Sequence, residues 1–185
     1  MSDLATLANV KEYLDIESDD TTFDSLIGRL VTASSRQIEA YCGRVFETQG
    51  YTENYDGNAS DILFLNHTPV VSVTSLSIDG ESLGADEFKV YDDYLRLVAD
   101  LFTPGQLNVS VDYTAGYYDA QTESPPSDLE DACIQLVAFK FNLRGADGLA
   151  ERRVNESAES FAGAAIPLAV AIILDKYRRP RHGAV

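Results

Sequence analysis

The stretch "IEAYCGRVF", residues 38–46, decides how the chain divides. It ends a pattern with helical spacing and opens one with strand spacing. Upstream, Phe23, Leu26, Ile27, Leu30, Val31, Ile38, Tyr41 and Cys42 recur at three- and four-residue steps, which predicts one long amphipathic helix. Asp20 or Thr21 is placed to cap its start, and Gly43 stands where a left-handed residue ends a helix. Cys42 then admits two readings, a thiol activated by nearby arginines or a small core residue at the helix end. It continues the apolar stripe from Ile38, and the helix dipole opposes a thiolate at a C-terminus, so the packing reading is favoured.

Before the polar gap "ESDD", residues 6–16 carry Leu7, Val10 and Leu14 at helical spacing, with Thr6 as N-cap. After residue 45 the period falls to two. In "LNVSVDYT", residues 107–114, Leu107, Val109, Val111 and Tyr113 share one face of a half-buried antiparallel strand. Residues 87–98 read as a hairpin around Asp92-Asp93. Residues 70–78 lose phase near Thr74 and Ser75, which predicts a β-bulge.

Pro125-Pro126, with Ser127 as a capping candidate, announces a third helix. Leu129, Ala132, Cys133, Leu136, Val137 and Lys140 form its stripe. Phe139 and Phe141 fall off that stripe, so this helix is expected to bury a second face. Residues 145–165, rich in Gly, Ala and charge, read as a mobile loop. Pro167 suits the first turn of a last helix in which Leu168 and Ile172 precede Asp175 and Tyr177.

The fold class is therefore α+β: about four helices with an antiparallel β-rich insertion between the second and third. We expect one domain over 1–185, comprising helices at 1–44, the insertion at 45–116, a helix at 125–144, the loop at 145–165, and a helix with a basic tail at 166–185.

Thirty acidic residues against 14 basic ones give a net charge of −16. Such a surface disfavours a broad DNA grip, since phosphate contacts need Lys and Arg. Only Lys11, Lys89, Lys140 and Lys176 are lysines, and Asp outnumbers Glu, a bias that hints at a salt-loving host. The longest apolar run, residues 161–174, is too short to span a membrane and contains Pro167. No secretory leader opens the chain, so the Asn-x-Ser/Thr matches at Asn58, Asn66, Asn108 and Asn155 are taken as chance.

Two cysteines and two histidines make no metal-ligand cluster, and no cofactor or metal is expected. A hydrolase built on Cys42, Ser34 or Ser35 with His67 or His182 would need an accident of fold. The basic tail gathers Lys176, Arg178, Arg179 and Arg181 in a chain otherwise poor in cations. It could complement the last helix's negative end or dock onto an acidic protein surface.

Taken in order, "LATLANVKEYLDI", "IEAYCGRVF", "PVVSVTSLSIDG", "VDYTAGYYDAQTESPPSDLEDA" and "ILDKYRRP" resemble the head-tail connector (adaptor) proteins of tailed bacteriophages and related viruses, in the branch with a β insertion. The pattern covers nearly the whole chain, although "NLRGADGLAERRVNESAES" matches no fixed motif. The resemblance implies a structural protein, not an enzyme, which forms a ring of roughly twelve copies below the portal protein. Such a ring extends the DNA channel without sequence-specific binding and offers a platform for a downstream connector, stopper or tail protein. By the same analogy the protein is assembled in the host cytoplasm and located at the portal vertex of the virion. Tyr177, Arg178, Arg179 and Arg181 are expected to dock on the portal, and Arg44, Phe139 and Phe141 to meet a neighbouring subunit. The alternative is a monomeric β-rich binding module that recognises a protein or a glycan.

Overall fold

In the computed structural model, the described residues are 2–144 and 166–179. They form two compact units, Met1–Arg44 with Pro125–Val185, and Val45–Ser124. The α+β class, the four helices and the position of the β insertion all agree with the sequence reading. The 145–165 loop and Arg181 lie outside the described residues.

The helical unit contains α1 (Leu7–Tyr13), α2 (Asp24–Cys42), α3 (Ser127–Leu143) and α4 (Leu168–Asp175). Thr6 caps α1 as expected, its Oγ1 accepting from the Asn9 N–H at 3.2 Å. Two expected caps are corrected. Phe23 and Pro126 occupy the N-cap positions of α2 and α3, and neither helix start has a side-chain cap. Asp20 instead makes a local turn by accepting from the Thr22 N–H at 2.9 Å. Gly43 is left-handed at φ 68°, and its N–H bonds Glu39 O at 2.8 Å. A residue with a Cβ would be strained there, so glycine ends the helix.

Ile27, Val31, Ile38 and Cys42 of α2 pack in this core, as do Leu129, Cys133, Leu136 and Val137 of α3. On α4 the buried side is narrow. Val170 and Leu174 are buried, whereas Leu168 and Ile172 are 77% and 65% exposed. Lys11 is buried as well, and its ammonium joins α1 to the turn before α2. Nζ donates to Ser18 O at 3.0 Å and to Asp20 O at 2.7 Å, and it lies 3.1 Å from Asp24 Oδ1. Two hydrogen bonds and an adjacent carboxylate thus surround the ammonium, which offsets the cost of burying the charge.

The β unit has β1 (Gln49–Gly57), β2 (Ile62–Phe64), β3 (Val70–Ile78), β4 (Glu81–Ser82), β5 (Phe88–Val90), β6 (Tyr94–Leu97) and β7 (Gly105–Ala115). They make a four-stranded sheet, β1-β7-β3-β4, and a three-stranded one, β2-β6-β5. All strand pairs are antiparallel. The expected bulge is present, since β3 slips register against β7 between Val73 and Ser75. The expected hairpin at 87–98 is β5 with β6. Asp79 and Gly80, with φ of 53° and 85°, make the tight turn from β3 to β4.

Leu107 departs from its expected inward face: φ is 49° and the side chain is 67% exposed. Its N–H donates to Asp56 Oδ1 at 2.6 Å. Asn108 beside it accepts from the Gly57 N–H at 2.9 Å and donates to Thr103 O at 2.9 Å. From Val109 the alternation holds, and Val109, Val111 and Tyr113 are buried between the sheets' apolar side chains.

Entry and exit of this unit are tied together. Thr48 N–H donates to Tyr118 O and Tyr117 N–H to Phe46 O, each at 2.8 Å. Buried Phe46 packs on Tyr117 with ring centroids 5.6 Å apart. At the far side of β1, the Glu53 carboxylate accepts from the hydroxyls of Tyr55 and Tyr113, both at 2.5 Å, and from Asn66 Nδ2 at 3.2 Å. His67 stacks on Tyr51 with centroids 3.8 Å apart, and its N–H donates to Tyr113 Oη at 3.1 Å. Together these contacts fasten the β2–β3 loop to the large sheet.

Candidate functional site

The basic carboxyl-terminal segment begins where α4 ends, and its polar contacts decide which residues are available to a partner. Tyr177 is buried and its hydroxyl donates to Asp128 Oδ1 at 2.6 Å. Lys176 Nζ pairs with Asp128 Oδ2 and sits 4.8 Å from the Tyr177 ring centroid. One carboxylate on the first turn of α3 thus holds two consecutive residues of the tail.

A second carboxylate does the same against α2. Asp175 Oδ1 accepts from the Tyr41 hydroxyl at 2.8 Å and lies 3.6 Å from Arg178 Nη1. The Asp175 hydrogen bond, with lesser help from burial, raises the Tyr41 pKa. The Arg178 guanidinium stands 5.1 Å from the Tyr41 ring centroid, within cation–π range. Arg179 N–H donates to Cys42 O at 2.9 Å. The segment is therefore stitched to the end of α2 and the start of α3, with the side chains of Lys176, Arg178 and Arg179 outward.

Two of the expected site residues are held within the helical unit. Tyr177 is a buried fastener of the helical unit, so it is not an exposed docking residue. Phe141 is buried edge-on to Phe23 at 5.3 Å, with the Arg144 guanidinium 3.6 Å above its ring, so it belongs to its own core. Phe139 is half-buried. Arg44 is also half-buried, and its N–H bonds Glu39 O at 3.2 Å at the end of α2. That Asp128 and Asp175 organise the tail is not foreseen by the sequence reading. Their acidity was visible, but their partners lie far away along the chain.

The thiols are built for packing. Cys42 Sγ lies 3.8 Å from Leu174 O, and burial pushes its pKa up to about 11 against the pull of Arg44 and Arg178. Burial likewise raises Cys133 to about 11, with Ser35 Oγ 3.6 Å away. Ser35 Oγ also accepts from the Leu4 N–H and donates to Val31 O, both at 2.9 Å. Ser34 Oγ accepts from Lys140 Nζ at 3.0 Å. Burial lowers the Lys140 pKa. None of these four side chains is presented to solvent as a nucleophile. Among the described residues there is no group of three or more potential metal ligands and no helix long and apolar enough to cross a membrane.

Residues 3–180 match the family model described as head completion protein. The chain belongs to the head completion protein family. This agrees with the connector resemblance drawn from the order of its motifs. Solved structures share the fold of this head completion protein. One is a chain in the neck of an empty GTA particle computed with C6 symmetry, 18% identical, with a TM-score of 0.62 over 98% of this chain and 93% of that one. Another is a chain in the virion of a native gene transfer agent (GTA) particle, 19% identical, with a TM-score of 0.61 over 98% and 93%. A third is in the neck of a native GTA particle computed with C12 symmetry, 20% identical, with a TM-score of 0.59 over 98% and 92%. No curated protein matches the sequence.

Proposed function

We propose that this head completion protein is a head-tail connector that forms a ring below the portal of a tailed virus. The ring, of roughly twelve copies by family resemblance, extends the DNA channel and carries the next connector or tail protein. Its place is the head-tail vertex of the virion, and its role is structural. The observation that carries this reading is the family match from residue 3 to residue 180, nearly the full chain. Whole-length likeness to chains of GTA neck structures, one computed with C12 symmetry, supports the ring.

The docking role falls to Arg178, Arg179 and Arg181, because Tyr177 is committed to Asp128. Their charge suits docking onto an acidic protein surface. The chain's net charge of −16 suits a channel lining past which DNA moves without adhering. Replacing all three arginines by alanine tests the docking role while leaving Tyr177 in place. We expect a folded protein with unchanged circular dichroism that no longer co-sediments with portal. Undiminished portal binding would overturn the tail assignment.

A further inference from the structure

On β1, Tyr51, Glu53 and Tyr55 alternate onto the half-buried face, and the two oxygens of the Glu53 carboxylate are used differently. Oε2 accepts from the hydroxyls of Tyr55 and Tyr113, each at 2.5 Å. Oε1 accepts a longer bond, 3.2 Å, from Asn66 Nδ2, and His67 Nε2 lies 3.7 Å from the same oxygen. The two tyrosine hydroxyls in turn accept the main chain of the β2–β3 loop, Asn66 N–H at 3.0 Å on Tyr55 and His67 N–H at 3.1 Å on Tyr113.

At 3.7 Å the imidazole is beyond hydrogen-bond range of Oε1 but within ion-pair range, so its contribution there depends on its charge. The Glu53 and His67 side chains are 23% and 35% exposed, which shields the pair better than an ordinary surface ion pair. The ring is already in place. It lies parallel to Tyr51, with centroids 3.8 Å and planes 6° apart, and the face of a tyrosine favours a cation.

The other side chains set against the loop do not change charge near neutral pH. Tyr51 carries an ordinary phenol. Burial, and after it the Glu53 bond, keeps Tyr55 and Tyr113 protonated. Asp92 and Asp93, in the turn between β5 and β6, reach the ends of the loop through main-chain carbonyls, which accept from Val70 N–H at 2.8 Å and Leu65 N–H at 3.1 Å, and their side chains are exposed. His67 is the single histidine among the described residues, and histidine is the side chain whose ordinary titration falls between pH 5 and 8.

We infer that His67 is a pH-operated latch, whose protonated imidazole pairs with the Glu53 carboxylate and tightens the β2–β3 loop on the large sheet, and whose neutral form leaves the loop to its hydrogen bonds. The inference concerns the β unit and does not rest on the ring reading. A histidine that gains a carboxylate in the fold adds stability that is complete below its unfolded pKa, about 6.5, and lost as pH rises through the higher folded value. On the acid side the pair fails when Glu53 itself is protonated, below about pH 4.5. The loop is therefore held most tightly between these limits.

Hydrogen exchange of the full-length protein tests the latch, read at the Asn66 and His67 amides as protection factors, from which the intrinsic pH dependence has been divided out. Wild-type protection should be about three- to tenfold higher at pH 5.5 than at pH 8, the change that a folded-state shift of about 0.5–1 pH unit produces. His67→Phe keeps a ring on Tyr51 and cannot titrate, so its protection should be the same at both. In parallel, the His67 ring signal in proton NMR, identified by its loss in His67→Phe, should titrate about 0.5–1 pH unit lower in Glu53→Gln than in the wild type. Wild-type protection equal at the two pH values, or a change equally large in His67→Phe, would overturn the latch, as would a His67 midpoint unmoved by Glu53→Gln. Should Glu53→Gln not fold, the exchange comparison decides.

Discussion

The Tyr177 hydroxyl donates a 2.6 Å hydrogen bond to Asp128 Oδ1, tying the start of the basic tail to the first turn of α3. The tail's arginines therefore leave the helical unit from a fixed point. Tyr177→Phe keeps the ring and removes only this bond, which should cost about 1–2 kcal/mol, as for a hydrogen bond to a partly solvated charge. Urea denaturation reads the loss. An unchanged midpoint would mean that the bond contributes nothing.

Lys11 should be more costly to replace. Lys11→Met preserves the buried stem but strips partners from Ser18 O, Asp20 O and Asp24. Leaving one partner of a buried charge cluster unpaired costs about 3–5 kcal/mol. Thermal denaturation should show a marked fall in Tm. A stable Lys11→Met protein would place this cluster among contacts that merely accompany folding.

Acid should loosen the β unit through Glu53. Burial alone raises its pKa, but hydrogen bonds from Tyr113, Tyr55 and Asn66, with the nearby His67, outweigh burial and bring it below the ordinary 4.5. A carboxylate depressed in the folded state stabilises the fold above its unfolded pKa, and the contribution is lost as pH falls through the folded value. Wild type should exceed Glu53→Gln in stability at pH 7, and the gap should narrow below about pH 4.5. Denaturation midpoints across that range check this; a gap constant with pH would contradict it. On the partner hydroxyls, burial first and then the Glu53 bond raise Tyr55 to about 12 and Tyr113 further. Both remain donors throughout this pH range.

Both thiols should resist labelling in the native state. At neutral pH a thiol with a pKa near 11 is almost wholly protonated, and Cys42 and Cys133 are also shielded. A thiol reagent should modify them only as fast as the protein opens, and promptly in denaturant. Rapid native labelling at Cys42 would reinstate a reactive-cysteine reading.

What could be read from the sequence followed periodicity. The change of period around Gly43 marked the border between α2 and the β unit, because both sides have a clear polar face. The face of α4 could not be read in this way: "LAVAIILD" is apolar nearly all round, so no polar side fixes which residues point inward. Leu107 continued the alternation of β7 on paper, yet its left-handed backbone and the Asp56 contact turn it outward. Asp128 and Asp175 could be recognised only as acidic. That they hold Tyr177, Lys176, Tyr41 and Arg178 depends on helix packing, which local pattern does not encode.

We propose above that this protein closes into a ring on the portal. Electron microscopy of purified protein mixed with portal tests it most directly. Closed rings seated on the portal are expected, lost when Arg178, Arg179 and Arg181 are replaced. A stable monomer that leaves the portal bare at every ratio would contradict it.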